Sequence, residues 1–188
     1  MINRSASESA FWLKMDYLLS HVGDPLSINE GQMSPSFFDS FQFQGGGGNL
    51  FEDMLANDLG WSIVSHRVAC LFAQCSNSED IKLVKLPERV CQIHSKLAEY
   101  SVLGIKRKIA CLDLVNSDLR WGKFPREHIS AIYRGVLKEP MIPENVDIFH
   151  VAEYPVMPVV SSRLAKAIAD LCPKGLVFEE MTAIPSKS

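Results

Sequence analysis

Two stretches of this chain, 96 positions apart, carry one pattern, and the pattern dictates a helix entered directly from a short apolar run. Ile63-Val64-Ser65-His66-Arg67-Val68-Ala69 is echoed by Val159-Val160-Ser161-Ser162-Arg163-Leu164-Ala165. The echo continues in register, Val68, Leu71, Phe72 and Cys75 being matched by Leu164, Ala167, Ile168 and Leu171. Each set has the i, i+3, i+4, i+7 spacing of one helix face. Apolar segments follow both, Ile81-Lys82-Leu83-Val84 and Leu176-Val177-Phe178, so each copy predicts a cap, a helix and a strand. Duplication and convergence predict the same elements.

Ser65 and Ser161 stand immediately before the periodic runs, where a hydroxyl accepts a hydrogen bond from an otherwise unpaired amide of the first turn. Both are predicted as structural helix caps, not nucleophiles.

The rest of the chain reads as mostly strand. Phe11, Leu13, Met15 and Tyr17 alternate with Trp12, Lys14 and Asp16, which favours a strand, although the preceding Ser-Ala-Ser-Glu-Ser also suits a helix cap. From Gly23 to Gly60 the composition is that of a long irregular region, anchored by Phe37, Phe38, Phe41 and Phe43. The tract Gly45 to Gly48 is followed by Asn49-Leu50-Phe51 and has no Lys-Ser/Thr pair, so it reads as a flexible loop and not a phosphate cradle. Pro87 to Glu99 suits a short helix or a hairpin. Tyr100 to Ile105, Lys108 to Leu114 and Val146 to Val151 read as strands, with a turn at Asn116-Ser117-Asp118, and residues 129 to 138 as helix or strand. The expected class is α+β, strand-rich, with two well-marked helices. A chain of 188 residues builds one large core or two small ones. One compact chain is expected, with an N-terminal lobe over 1–99 and a C-terminal lobe over 100–188.

Composition removes several function classes. Net charge is −3, and the basic run Lys106-Arg107-Lys108 lies in an apolar stretch, which suits a solvated edge and not a nucleic-acid footprint. No run approaches the roughly 20 apolar residues that span a bilayer. Phe11-Trp12-Leu13 is broken at once by Lys14 and Asp16, so no secretory leader is expected and the cytoplasm is the expected compartment. Cys70, Cys75, Cys91, Cys111 and Cys172 are odd in number and mostly in apolar periodic surroundings, as free buried thiols would be.

The residues that best resemble chemistry are His66, Cys70, Cys75, Cys91 and His94. Metal sites usually pair ligands two to four residues apart on a loop or hairpin, and Cys70 to Cys75 falls inside a predicted helix. Cys111 sits in an apolar strand, where burial makes a thiol inert. No Gly-x-Ser-x-Gly occurs, and Glu179-Glu180 and Glu52-Asp53 read as surface charges. No catalytic residue, metal or cofactor is assigned.

From residue 100 onward the order of features is distinctive: Tyr100-Ser101-Val102-Leu103-Gly104-Ile105, Ile109-Ala110-Cys111-Leu112-Asp113-Leu114 with Ser117, Asp147-Ile148-Phe149-His150-Val151, Pro158-Val159-Val160-Ser161-Ser162-Arg163-Leu164, and Gly175-Leu176-Val177-Phe178-Glu179. In this order the chain resembles the immunity-protein family of bacterial polymorphic toxin systems, first described as an uncharacterised myxobacterial domain. The likeness is clearest over 100–181; before that it rests on the opening strand and the Val-Ser-x-Arg unit. The resemblance implies a non-enzymatic protein that binds and neutralises a cognate toxin, or secreted effector, encoded beside it. It carries over no contact residues and no oligomeric state.

Contact residues are therefore sought in the chain itself. Asp118-Leu119-Arg120-Trp121-Gly122-Lys123-Phe124 combines a turn signal, both charge signs and two aromatics, without helical or strand period. Asp118, Arg120, Trp121 and Phe124 are the candidate partner-binding residues, the alternative being that Trp121 and Phe124 cover the sheet. Two other functions stay open: a small cysteine- or metal-dependent enzyme built on His66, Cys70, Cys91 and His94, and a structural partner in a secretion system.

Overall fold

The computed structural model describes residues 2–4, 12–17, 38–39, 41–123 and 128–185, the first two stretches by backbone alone. Its N-terminal half comprises β1 (Ile2–Arg4), β2 (Trp12–Tyr17), β3 (Phe41–Gly45), β4 (Ala56–Asn57), β5 (Ile63–Ser65), α1 (His66–Cys75), β6 (Ile81–Lys85) and α2 (Glu88–Cys91). There follow β7 (Tyr100–Ile105), β8 (Lys108–Ile109), β9 (Asp118–Gly122), β10 (His128–Arg134), β11 (Val136–Lys138), β12 (Ile148–Val151), β13 (Tyr154–Val160), α3 (Ser162–Ala169), β14 (Leu176–Phe178) and β15 (Thr182–Ile184). The fold is α+β and strand-rich, as expected.

Two three-stranded sheets flank the helix pair. In one, β7 lies between β5 and β6, antiparallel to both; in the other, β12 lies between antiparallel β13 and parallel β8. The central strand β7 thus sits immediately after the expected lobe boundary at 99/100 and pairs on both sides with strands that precede it.

Alternation along these strands sorts the core into three clusters. Tyr100 and Val102 join Ile63 and Trp61 on one face of the first sheet, where the rings of Phe38 and Phe41 meet Trp61 edge-on at 6.0 and 5.0 Å. Leu103 and Ile105 face the other way, onto Val68 and Phe72 of α1, Leu164 and Ile168 of α3, and Ile148 of the second sheet. Phe149 and Val151 of β12 then face a third cluster with Cys111, Leu112, Ile129 and Leu137. Helices α1 and α3 therefore share the middle layer, each through the apolar face predicted from its sequence.

The two echoed units share more than helix phase. Ser65 and Arg67 both bind Asp53: the hydroxyl donates to Oδ1 at 2.7 Å, Nε donates to the same oxygen at 2.6 Å, and Nη2 closes a fork on Oδ2. Ser161 and Arg163 bind Asp147 in the same way, at 2.6 Å from the hydroxyl and 3.2 Å from Nε, with Nη2 on Oδ2. In both units the serine amide also donates to the aspartate's own carbonyl at 2.8 Å. The strand after each helix goes elsewhere: β6 joins β7, whereas β14 pairs with β1.

This geometry corrects the role predicted for Ser65. It stands at the N-cap position of α1 but makes no side-chain cap; its hydroxyl donates to the carboxylate of Asp53, a residue only 6 % exposed. Ser161 does both, its oxygen accepting from the Leu164 amide at 3.1 Å while its proton goes to Asp147.

Other expectations change at identifiable residues. Pro87–Glu99 forms the short helix α2 and then a 3-10 turn over Ser95–Glu99, not a hairpin. The strand expected over Lys108–Leu114 stops at Ile109; Asp113 then accepts from the amides of Val115 and Asn116 at 3.0 and 3.2 Å, a local turn that competes with strand pairing. Residues 129–138 belong to two strands, β10 and β11. Within the expected irregular region, Gly47 and Gly48 adopt φ of 93° and 74°, which glycine tolerates without strain; residues 23–37 and 40 lie outside the described residues. The basic run is exposed, as expected of a solvated edge, and two of its side chains are also anchored: Arg107 Nε donates to buried Asp80 at 2.6 Å and Lys106 Nζ to the Ser78 carbonyl at 2.7 Å.

Burial alone would raise the Asp53 carboxyl, but bonds from Arg67, Ser65 and the Lys174 amide, with the Arg67 charge, hold it at about 2. Since this lies below its ordinary 3.8, the ionised form favours the folded state: the stabilisation is full above the ordinary value and is lost as pH falls through the folded one. Denaturation across a pH series should show stability declining from about pH 4 toward about 2, and Asp53→Asn should flatten that decline while lowering stability at neutral pH. Ser161→Ala, which removes a cap as well as an aspartate bond, should cost about 1 kcal/mol more than Ser65→Ala. Equal costs in chemical denaturation would show that the Leu164 amide bond contributes nothing.

Candidate functional site

The segment expected to be an irregular loop is instead one arm of a hairpin. Asp118–Gly122 forms β9, antiparallel to β10, with Trp121 opposite Ile129 and Gly122 opposite His128; irregularities in register follow Ile129 and Ile132. The alternating pattern was hidden because only Leu119 and Trp121 are large and apolar, and of these only Leu119 packs on the third core. Trp121 lies on the same side of the strand but is 47 % exposed.

Beside Trp121 is a shallow apolar depression of about 520 Å³, walled by Leu114, Trp121, Ile129, Tyr154, Pro155 and Val156. His128 and Glu153 supply its polar groups. Leu114 and Val156 are also exposed, at 45 % and 48 %, so three large apolar side chains meet water around one hollow. Such a cluster is costly to leave bare and is the usual mark of an interaction surface. Three sequence segments build it: the turn closed by Asp113, the β9–β10 hairpin, and the start of β13.

Of the described residues proposed from sequence as partner contacts, Trp121 alone lines this hollow. Asp118 and Arg120 alternate to the opposite side of β9 and are exposed, and Phe124 lies outside the described residues. Leu114, Tyr154 and Val156 were missed. Val156 belongs to β13, Tyr-Pro-Val-Met-Pro-Val-Val, an almost continuously apolar run that carries no signal of which face is left uncovered.

The residues considered for catalysis are dispersed into structural roles. His66 and Cys70 meet one turn apart on α1, with Nε2 to Sγ at 3.5 Å. The Cys91 thiol, pushed up by burial, donates to the Leu86 carbonyl at 3.7 Å. His94 accepts from the Lys96 amide at 3.2 Å and stacks against Phe51, their rings 4.4 Å apart. Burial pushes the Cys111 thiol up to about 11, far from a nucleophile's range. Among the described residues no three His, Cys, Asp or Glu side chains are gathered so as to hold a metal ion, and no helix is long and apolar enough to cross a membrane.

Gly122 controls one wall of the hollow. A Cβ there would fall 2.5 Å from Cε1 of His128, so the imidazole packs where any other residue's side chain would begin. Gly122→Ala should displace the ring, seen as a shifted His128 Cε1–H resonance, while amide resonances of the first core around Trp61 stay in place. An unmoved His128 resonance would show that the ring is not seated on Gly122.

Comparison with known proteins gives these surfaces a context. No curated protein matches the chain. A family model described as Immunity protein family (Imm11) matches residues 9–183, so the likeness seen most clearly from residue 100 onward extends through most of the N-terminal half as well. It takes in both Asp-Ser-Arg units and every wall of the Trp121 hollow. The chain belongs to the Imm11 immunity protein family.

Proposed function

We propose that this protein neutralises a cognate toxin, encoded beside it in a bacterial polymorphic toxin system, by stoichiometric binding in the cytoplasm and without chemistry of its own. The observation that carries the contact surface is Trp121, a large aromatic left half in water at the edge of an apolar hollow, in a chain of the Imm11 family. Trp gathers much contact area for little lost side-chain freedom, and anchors of this kind dominate interface energies. Leu114 and Val156 would extend the contact and exclude water around it. Asp118 and Arg120, on the other side of β9, are proposed as peripheral contacts that steer and orient more than they hold.

Protection by occlusion saturates near equimolar protein, and the toxin regains activity when the complex is separated. Trp121→Ala should weaken toxin binding by about 2 kcal/mol or more, roughly thirtyfold, with little change in thermal stability. Tyr133→Ala is the control: Tyr133 is 67 % exposed on the same hairpin but does not line the hollow. Titration calorimetry with the toxin, alongside melting curves, separates the outcomes. Unchanged affinity of a folded Trp121→Ala protein would remove this hollow from the interface.

A further inference from the structure

A second depression, larger and of different character, lies where the segment after β11 and the segment leading into β15 border the β12–β13 pair. It measures about 960 Å³, and Val146, Phe149 and Val159 contribute an apolar floor. Its polar lining is one-signed: Glu139, Glu144, Glu179 and Glu180 face it, and no lysine, arginine or histidine does among the described residues. Glu139, Glu144 and Glu180 are exposed and form no ion pair with a described residue. Of the cations on neighbouring elements, Arg163 is forked onto Asp147.

From this we infer that the groove receives a cationic, partly apolar segment of the toxin, its lysine or arginine side chains reaching the glutamate rim and its apolar side chains meeting the floor. The inference rests on the proposed toxin-binding function and names the chemistry of what is bound. The exposed carboxylates of Glu139, Glu144 and Glu180 repel phosphate-bearing and acidic ligands, which argues against nucleic acid and acidic peptides as occupants. A small hydrophilic cation would leave the floor wet. The volume is at the upper end of that found in ligand clefts, about 300–1,000 Å³, which leaves space for several side chains together.

Two measurements test it. The first is independent of the toxin: alternating Lys-Leu and Glu-Leu peptides of equal length are titrated into the labelled protein. The Lys-Leu peptide should shift the amides of Leu137, Val146, Val160 and Ala183, and the Glu-Leu peptide should leave them in place. The second compares binding of the toxin encoded beside this chain to the wild type, to Glu139→Lys/Glu144→Lys/Glu180→Lys, and to the control Glu79→Lys/Glu99→Lys. The triple reversal should weaken binding about tenfold or more and reduce its salt dependence, with the control close to wild type. All three rim positions are exposed, so folding should be unaffected, and a melting curve verifies it. Groove amides indifferent to the Lys-Leu peptide, or a folded triple variant that binds as wild type does, would overturn this inference alone. A wild-type protein that fails to bind the toxin would overturn the proposed function and, with it, the occupant named here.

Discussion

The Asp53 carboxylate is the constraint on which much of this arrangement depends. A buried carboxylate is costly unless donors surround it, and its donors come from two distant parts of the chain. Ser65 and Arg67 approach from the junction of β5 and α1, and the Lys174 amide approaches at 2.9 Å from the turn after α3. The Asp53 amide returns a bond to the Lys174 carbonyl at 2.9 Å, and Arg67 Nη1 reaches the Leu171 carbonyl at 3.1 Å. Four bonds reach the carboxylate, one from Ser65, two from Arg67 and one from the Lys174 amide. They fix where the turn after α3 lies on the N-terminal half, something that apolar packing of α1 on α3 leaves free to slide.

That turn contains two residues in the left-handed region. Cys172 has φ of 48°, uncommon for a residue with a side chain, and Gly175 has φ of 75°. At Gly175 a Cβ would come within 2.7 Å of Glu52 Oε2 and 3.0 Å of the Met54 carbonyl, so the close approach of the two segments requires glycine as much as the backbone angle does. Asp147 performs the corresponding task inside the second unit, tying the start of β12 to the end of β13 and so orienting α3. With both helices fixed in the middle layer, β13 is left running between the two surface depressions, Val156 lining one and Val159 the other.

The sequence disclosed what depends on periodicity. Both helices, the strands Tyr100–Ile105 and Ile148–Val151, and the pairing of Ser with Arg at each helix start were legible because side chains three or four apart on a helix, or two apart on a strand, have to share a face. What it concealed depends on partners far away in the chain. Asp53 and Asp147 read as ordinary carboxylates, since nothing local shows that each receives a Ser-x-Arg from 12 or more positions onward; that two such aspartates precede the two echoed units was the available signal. Trp121 stands out as a candidate contact from the turn signal and mixed charge around it, yet its segment reads as a loop because a strand with few apolar residues has no contrast between faces. The hollow itself needs Leu114 and Val156, which only the tertiary fold brings beside Trp121.

Under the proposed function, the two depressions divide the physical work of binding the toxin. An apolar hollow with one large aromatic contributes through contact at short range, and its strength depends on shape and dehydration, hence on how slowly a complex separates. A rim of carboxylates acts at a distance comparable with the screening length, about 8 Å at physiological salt, and affects encounter and choice of partner more than final affinity. A partner that matched only the hollow would bind many such proteins poorly distinguished from one another, whereas one that matched only the rim would leave again quickly. Under that proposal, specific occlusion of a single toxin requires that one surface of it present an apolar projection and a cationic segment at the spacing set by β13.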